Sequence, residues 1–126
     1  MKKFYQCVKS SPRDQHIRRV IWGKDERREP KTLLHTTLAF GDTCAGAVAQ
    51  IALELMAERF GQGREEAKVA LTKCIYVDDI AGGGVSVEEV GRINTDIDYV
   101  LDKGGFSAKP IHYTGQAGST AVLGME

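Results

Sequence analysis

Two apolar runs, rich in β-branched and aromatic residues, stand on either side of a charged segment near the start of the chain. Residues 17–22 and 32–40 have the composition of strands, and residues 23–30 are charged and end in a proline. This pattern predicts an antiparallel pair joined by an exposed loop. Residues 4–8 predict a short strand or the first turn of an element, and residues 10–14 a turn.

The middle of the chain has the composition of helices. Residues 44–60 are rich in alanine, residues 41–43 offer side-chain oxygens for an N-cap, and glycines follow at positions 61 and 63. Residues 64–71 predict a short second helix or a continuation of the first, with Arg64 and Lys68 one turn apart.

A later helix is predicted to begin at Ser86. Ser86 and Glu89 form a capping-box pattern, and Gly104 and Gly105 end the helix. The apolar residues at spacings of three or four predict one buried face, made of Val87, Val90, Ile93, Ile97 and Leu101.

The remaining apolar runs predict strands. Residues 74–77 and 80–82 are separated by Asp78 and Asp79, which predicts a tight hairpin with the two aspartates at its tip. Residues 106–114 predict an edge strand interrupted by Pro110, and residues 120–125 begin another. The order predicts an α+β fold in which an antiparallel sheet is backed by two main helices.

Composition adds limits and one asymmetry. The 126 residues carry 17 basic and 17 acidic side chains, a length and balance that predict one globular domain. Residues 1–31 hold ten basic and four acidic residues, a net +6, which leaves seven against thirteen, a net −6, for the remainder. Such a division suits either a polyanion-binding face beside a cation-binding face or a solvated basic loop on an acidic body.

Other features exclude classes of protein rather than identify one. No apolar run approaches the ~18 residues of a membrane span, and the first fifteen residues lack the apolar region of a signal peptide, so an intracellular location is expected. Cys7, Cys44 and Cys74 lie far apart without a CxxC pair, which favours neither a disulfide framework nor a zinc site.

The sharpest chemical feature is the sequence Tyr-Val-Asp-Asp at residues 76–79. Two adjacent carboxylates repel each other unless cations compensate, and their hard oxygens suit Mg²⁺ or Mn²⁺. In two-metal phosphoryl transfer such ions activate the attacking oxygen and stabilise the leaving one. The plainer interpretation is an exposed Asp-Asp turn, because aspartate is common in turns.

Tyr-Val-Asp-Asp between two β runs, followed by a capped helix and Gly-Gly-Phe, resembles reverse transcriptases, and most closely those of BEL/Pao-type LTR retrotransposons. The resemblance covers nearly the whole chain and rests on five motifs in the expected order. They are Phe4-Tyr5-Gln6 with Ser11 to Gln15 and Arg19 to Trp22; Phe40-Gly41; Tyr76 to Asp79; Gly104-Gly105-Phe106 with Lys109; and Val122 to Met125.

The resemblance implies a palm-like fold with part of the fingers, which would bind an RNA or DNA template-primer and a dNTP. Asp78 and Asp79 would hold the catalytic Mg²⁺ or Mn²⁺ ions, and Lys109 would face the leaving pyrophosphate. Tyr76 and Val77 would lie near the primer terminus.

The same resemblance gives Phe4 and Gly41 a place on the nucleotide side. Phe4 would lie under the sugar of the incoming nucleotide, or it is a core aromatic. Gly41 would let the backbone approach the nucleotide, or it forms a helix-entry turn.

The chain departs from the family in ways that bear on activity. The family's first catalytic Asp would lie just before Met1, and Cys44-Ala45-Gly46 stands where Ser-Pro is usual. We therefore expect residues 1–126 to be a partial reverse transcriptase domain without thumb or RNase H, inactive alone, in the cytoplasm or a retroelement particle. The alternatives are a non-catalytic, decayed relic that binds nucleic acid or divalent metal weakly at most, and an unrelated α+β interaction module.

Overall fold

The computed structural model describes residues 1–23 and 28–113 and shows a mixed α and β architecture. The elements follow one another as a 3₁₀ turn (Phe4–Cys7), α1 (Pro12–Gln15), β1 (Arg19–Trp22), β2 (Lys31–Leu34), α2 (Ala45–Phe60), α3 (Glu65–Lys73), β3 (Ile75–Tyr76), β4 (Asp79–Ile80) and α4 (Val87–Lys103). The predicted α+β class is confirmed at this level. The start of the chain forms a 3₁₀ turn, one of the two forms that residues 4–8 allowed.

The core lies where α2, α3 and α4 pack against one another. Leu53, Leu71, Val100 and Leu101 are its largest fully buried side chains. Small residues on α2 and α3, Ala49, Ala57 and Ala67 among them, are also buried and allow the helices to approach closely. Burial of a Leu or Val side chain is worth ~1.5–3 kcal/mol, so the contact between these helices is a main source of stability for the described fold.

Both ends of α4 are built as the sequence predicts. The Ser86 hydroxyl accepts from the Glu89 amide at 3.2 Å, and the Glu89 carboxylate accepts from the Val85 amide at 2.7 Å. At the other end, the Phe106 amide donates to the Leu101 carbonyl and the Gly105 amide to the Asp102 carbonyl. These two bonds define a Schellman motif, and Gly105 takes the left-handed φ of 77° that the motif requires.

The two predicted hairpins form, but they do not join into one sheet. β1 pairs antiparallel with β2, with Arg19 opposite Leu34 and Trp22 opposite Lys31. β3 pairs antiparallel with β4 as a separate two-stranded unit. The expectation of a single sheet backed by two helices is therefore wrong for the described residues, in which three helices form the core and each strand pair stands by itself.

Residues 106–113 form no strand, although residues 106–114 were expected to be one. Pro110 has no amide hydrogen to give to a ladder, and the segment instead packs Phe106 into the core. Thr114 and the strand expected over residues 120–125 lie outside the described residues.

Two local expectations are also wrong. Residues 41–43 were expected to supply the N-cap of α2, but α2 begins after Cys44 and has no side-chain cap. The Asp42 carboxylate accepts from the Ala39 amide instead. Val87, expected on the buried face of α4, is exposed because it lies in the first turn, beyond the end of the helical core.

Within residues 1–23 and 28–113, no helix combines the length and apolarity of a membrane span.

Gly104 and Gly91 provide a matched test of the packing at the end of α4. A Cβ on Gly104 would lie 1.8 Å from the Met56 sulfur, whereas a Cβ on Gly91 would meet nothing within 4 Å. We expect Gly104→Ala to lower the free energy of unfolding by ~1–3 kcal/mol because buried Met56 must move. Gly91→Ala should raise it by ~0.5–1 kcal/mol because glycine is a poor helix former.

Urea denaturation followed by circular dichroism measures both changes. An equal response to the two substitutions would contradict the close packing of α4 on α2.

Candidate functional site

The hairpin of β3 and β4 carries the two aspartates, but its turn is one residue earlier than predicted. Tyr76 lies opposite Asp79, so Val77 and Asp78 form the two-residue turn and Asp79 belongs to β4. The expectation that Asp78 and Asp79 together form the tip is therefore wrong. Asp78 therefore lies in the turn, and Asp79 is the first residue of β4.

Val77 has an unusual backbone conformation in this turn. Its φ is 56°, in the left-handed region that β-branched residues rarely adopt. A positive φ at the first turn position is normally supplied by glycine. Tyr76 and Val77 are both exposed, so the strained residue and the adjoining ring are accessible to solvent. Their expected place near a primer terminus stays a prediction.

Lys109 lies beside Asp78, although 30 residues separate them in the sequence. The Lys109 ammonium nitrogen is 3.6 Å from Asp78 Oδ2, and the two side chains are 57% and 40% exposed. A pair this exposed contributes little to stability, ~1 kcal/mol at most, because water screens it. The pair brings a cation to the carboxylate for which the resemblance implies a metal.

Two contacts of the chain after α4 fix the position of Lys109. Phe106 is buried with its ring centroid 6.0 Å from that of Phe4. The Lys2 amide donates to the Ser107 carbonyl at 2.9 Å. The segment that begins at the Schellman motif is thus attached to the first residues of the chain just before it reaches Lys109.

The first residue also contacts the hairpin. The Met1 amino group donates to the Asp78 carbonyl, and Met1 itself is buried. Burial lowers the pKa of this amine, and the charges of Asp78, Lys109 and Asp79 also act on it, the aspartates raising the pKa and the lysine lowering it. Three charged side chains and the amino group therefore lie within electrostatic reach of one another.

Phe4 packs as a core aromatic. It is buried between the rings of Tyr5 and Phe106, whose centroids are 5.2 and 6.0 Å away. Of the two interpretations left open for this residue, the core position describes its present contacts. A role under a nucleotide sugar stays a prediction and would require its ring to be uncovered.

Gly41 is joined to this region indirectly, through the ring of its neighbour. The Phe40 ring meets the Tyr5 ring edge-on at 5.1 Å, and Tyr5 in turn packs on Phe4. Gly41 has a φ of 91°, and a Cβ there would meet nothing within 4 Å. The backbone turn explains why position 41 is a glycine. The open space beside it is compatible with the predicted approach of a nucleotide.

Sequence reasoning missed the ion pair that holds this turn. Arg18 lies 3.1 Å from Asp42 Oδ2 and donates to the Ser10 hydroxyl at 2.9 Å. These contacts connect the base of the β1–β2 hairpin to the turn at Gly41. Nothing in the sequence distinguishes Arg18 from the other basic residues around it, since its partner is 24 positions away.

Asp78 and Asp79 fit a divalent cation in donor type. Carboxylate oxygens are the ligands that Mg²⁺ and Mn²⁺ prefer, and a Mg²⁺ site often uses one or two carboxylates and completes its shell with water and substrate phosphates. In the described part of the chain, no third His, Cys, Asp or Glu joins them in a cluster. A divalent ion at this hairpin would have these two carboxylates as its ligands from the described residues.

Val77→Gly tests the strain in the turn. Relief of a left-handed β-branched residue should raise the free energy of unfolding by ~1 kcal/mol, after the entropy that glycine adds to the unfolded chain is subtracted. Val85→Gly is the matched control, because Val85 is exposed and has no positive φ. It should lower stability slightly in the same urea titration. Destabilisation by both substitutions would show that the turn stores no strain at Val77.

Comparisons of the chain with protein-family models, with curated proteins and with solved structures find no match. A proposed function therefore rests on two observations, the geometry at Asp78, Asp79 and Lys109 and the motifs in the sequence.

Proposed function

We propose that the chain is a fragment of a retrotransposon RNA-directed DNA polymerase, of the BEL/Pao-type reverse transcriptases, and that Asp78 and Asp79 are its divalent-cation ligands. The observation that carries the proposal is the 3.6 Å approach of the Lys109 ammonium to the Asp78 carboxylate. The resemblance assigns these two residues to one site from separate motifs. Their proximity in space is what that assignment requires.

Each residue then has a definite task. Asp78 and Asp79 supply the oxygen ligands, and a bound Mg²⁺ would promote attack of a primer 3′-OH on the α-phosphate of a dNTP. Lys109 supplies positive charge, or a proton, to the pyrophosphate that leaves. The basic segment of residues 1–31 would lie against the phosphates of the template-primer.

The same ion pair also favours a second candidate, a non-catalytic relic of such a polymerase. Lys109 already compensates the charge of Asp78, so the pair is electrostatically acceptable without a metal ion. In this alternative the chain binds nucleic acid or divalent cations weakly at most. The two candidates differ in whether a cation at the aspartates responds to a nucleotide.

Titration with Mn²⁺, followed by electron paramagnetic resonance, separates them. We expect weak binding by the chain alone and tighter binding when a dNTP is present, because the triphosphate completes the coordination shell. Asp78→Asn should weaken nucleotide-dependent binding ~tenfold or more, since even outer partners of metal ligands contribute that much. Asp98→Asn, on the exposed side of α4, is the control and should change nothing.

Mn²⁺ binding that does not change with dNTP, or that Asp78→Asn and Asp98→Asn weaken equally, would contradict the polymerase-derived site. Either result would favour the non-catalytic relic. Primer extension on an RNA template is the second measurement. We expect no extension by the isolated chain. Any template-dependent extension must disappear in Asp78→Asn, and extension that persists in this variant would contradict the role given to Asp78.

A further inference from the structure

The outer side of α2 is apolar although nothing in the described residues covers it. The inner side of the helix is in the core, where Ala49, Leu53 and Met56 are buried. The outer side exposes Val48, Ile51 and Leu55, which lie at spacings of three and four residues and form one stripe. A helix that is hydrophobic on both sides is normally buried on both sides.

The β1–β2 hairpin is the second uncovered apolar element. Every residue of both strands is exposed. Val20 and Trp22 share one face with their cross-strand partners Leu33 and Lys31, because alternate residues of a strand and directly paired residues point the same way. A two-stranded hairpin is marginally stable in water unless a further strand or a helix packs on it.

The charges around these two surfaces are opposite. Glu54 and Glu58 are exposed on α2, next to Ile51 and Leu55. Lys31 lies beside Trp22 on the hairpin. The one basic residue in the last turn of α2, Arg59, places its guanidinium over the Phe60 ring instead, 5.5 Å from the centroid. The helix surface is thus an apolar stripe beside two glutamates, and the hairpin surface is an apolar patch that includes Lys31.

We propose that the chain forms a reciprocal dimer in which the Trp22 face of the hairpin of one copy packs on the outer face of α2 of the other. The occupant is a second copy because one chain carries both halves of the match, in apolarity and in charge. A two-fold axis would make the contact twice and close the assembly, so that both exposed apolar surfaces of each copy would be covered. This inference does not rest on the proposed polymerase origin, and it leaves for a template-primer the basic residues of 1–31 that lie off the Trp22 face.

Sedimentation velocity of the full chain over a range of concentrations tests the dimer. We expect a species of twice the mass of one chain, and an association that weakens as NaCl screens the pairing of Lys31 with the glutamates. A chain that stays monomeric at every concentration, including one that binds nucleic acid through the hairpin as a monomer, would overturn the proposal.

Single substitutions locate the contact. Trp22→Thr and Ile51→Gln should each weaken association by ~tenfold or more, as expected for central apolar residues of an interface. Val69→Gln is the control for Ile51, since the two residues are 51% and 53% exposed and Val69 lies on α3. Ile21→Thr, on the opposite face of β1, is the control for Trp22. All four positions are exposed, so the variants should remain folded, as circular dichroism can verify.

Mixing the two interface variants tests the pairing itself. A heterodimer of Trp22→Thr and Ile51→Gln retains one contact free of either substitution, whereas each variant alone retains none. We therefore expect the mixture to associate more strongly than either variant. Loss of association in Trp22→Thr alone would indicate hairpin-to-hairpin contact, and loss in Ile51→Gln alone would indicate helix-to-helix contact. Either result would overturn the proposal.

Discussion

The packing of Phe106 on Phe4 is the interaction on which the candidate site depends. It joins the chain that leaves α4 to the first turn of the molecule, and the bond from the Lys2 amide to the Ser107 carbonyl fixes their relative position. Lys109 follows two residues after Ser107 and thereby reaches the Asp78 carboxylate. The Schellman motif at Gly105 makes this possible because it reverses the chain at the point where the helix ends.

Two parts of the structure have different physical characters. The helices α2, α3 and α4 enclose a well-packed apolar core, in which Leu53, Val100 and Leu101 are fully buried. The candidate site lies at the edge of this core, with half-exposed charges and a strained Val77. The candidate site thus combines a rigidly packed base with an open, charged turn.

Sequence reasoning predicted what is local. The capping box at Ser86, the glycine end of α4, the β1–β2 pairing and the existence of the aspartate hairpin all depend on neighbouring residues, and all are present. The turn was misplaced by one residue because a valine in the left-handed region has no sequence signal. The sheet was wrong because strand propensity does not tell whether a segment such as 106–113 pairs with a strand or packs by a single aromatic ring.

Within the site, the sequence motifs predicted that Lys109 and Asp78 belong to one site. The residues that sequence reasoning missed act over long separations. The tertiary fold alone brings Arg18 into an ion pair with Asp42 and lets the Met1 amino group donate to the Asp78 carbonyl. The sequence left Phe4 open as a core aromatic or a nucleotide contact. Its burial, which composition does not reveal, gives it the contacts of a core aromatic.

The central proposal is that Asp78 and Asp79 form a divalent-cation site with Lys109 at its edge. Paramagnetic broadening by Mn²⁺ in the amide spectrum of the ¹⁵N-labelled chain tests it directly, because broadening falls steeply with distance from the ion. The account predicts that the amide signals of Val77, Asp78, Asp79 and Lys109 broaden first as Mn²⁺ is added. Earlier broadening at the acidic start of α3, Glu65 and Glu66, or uniform broadening along the chain, would contradict it.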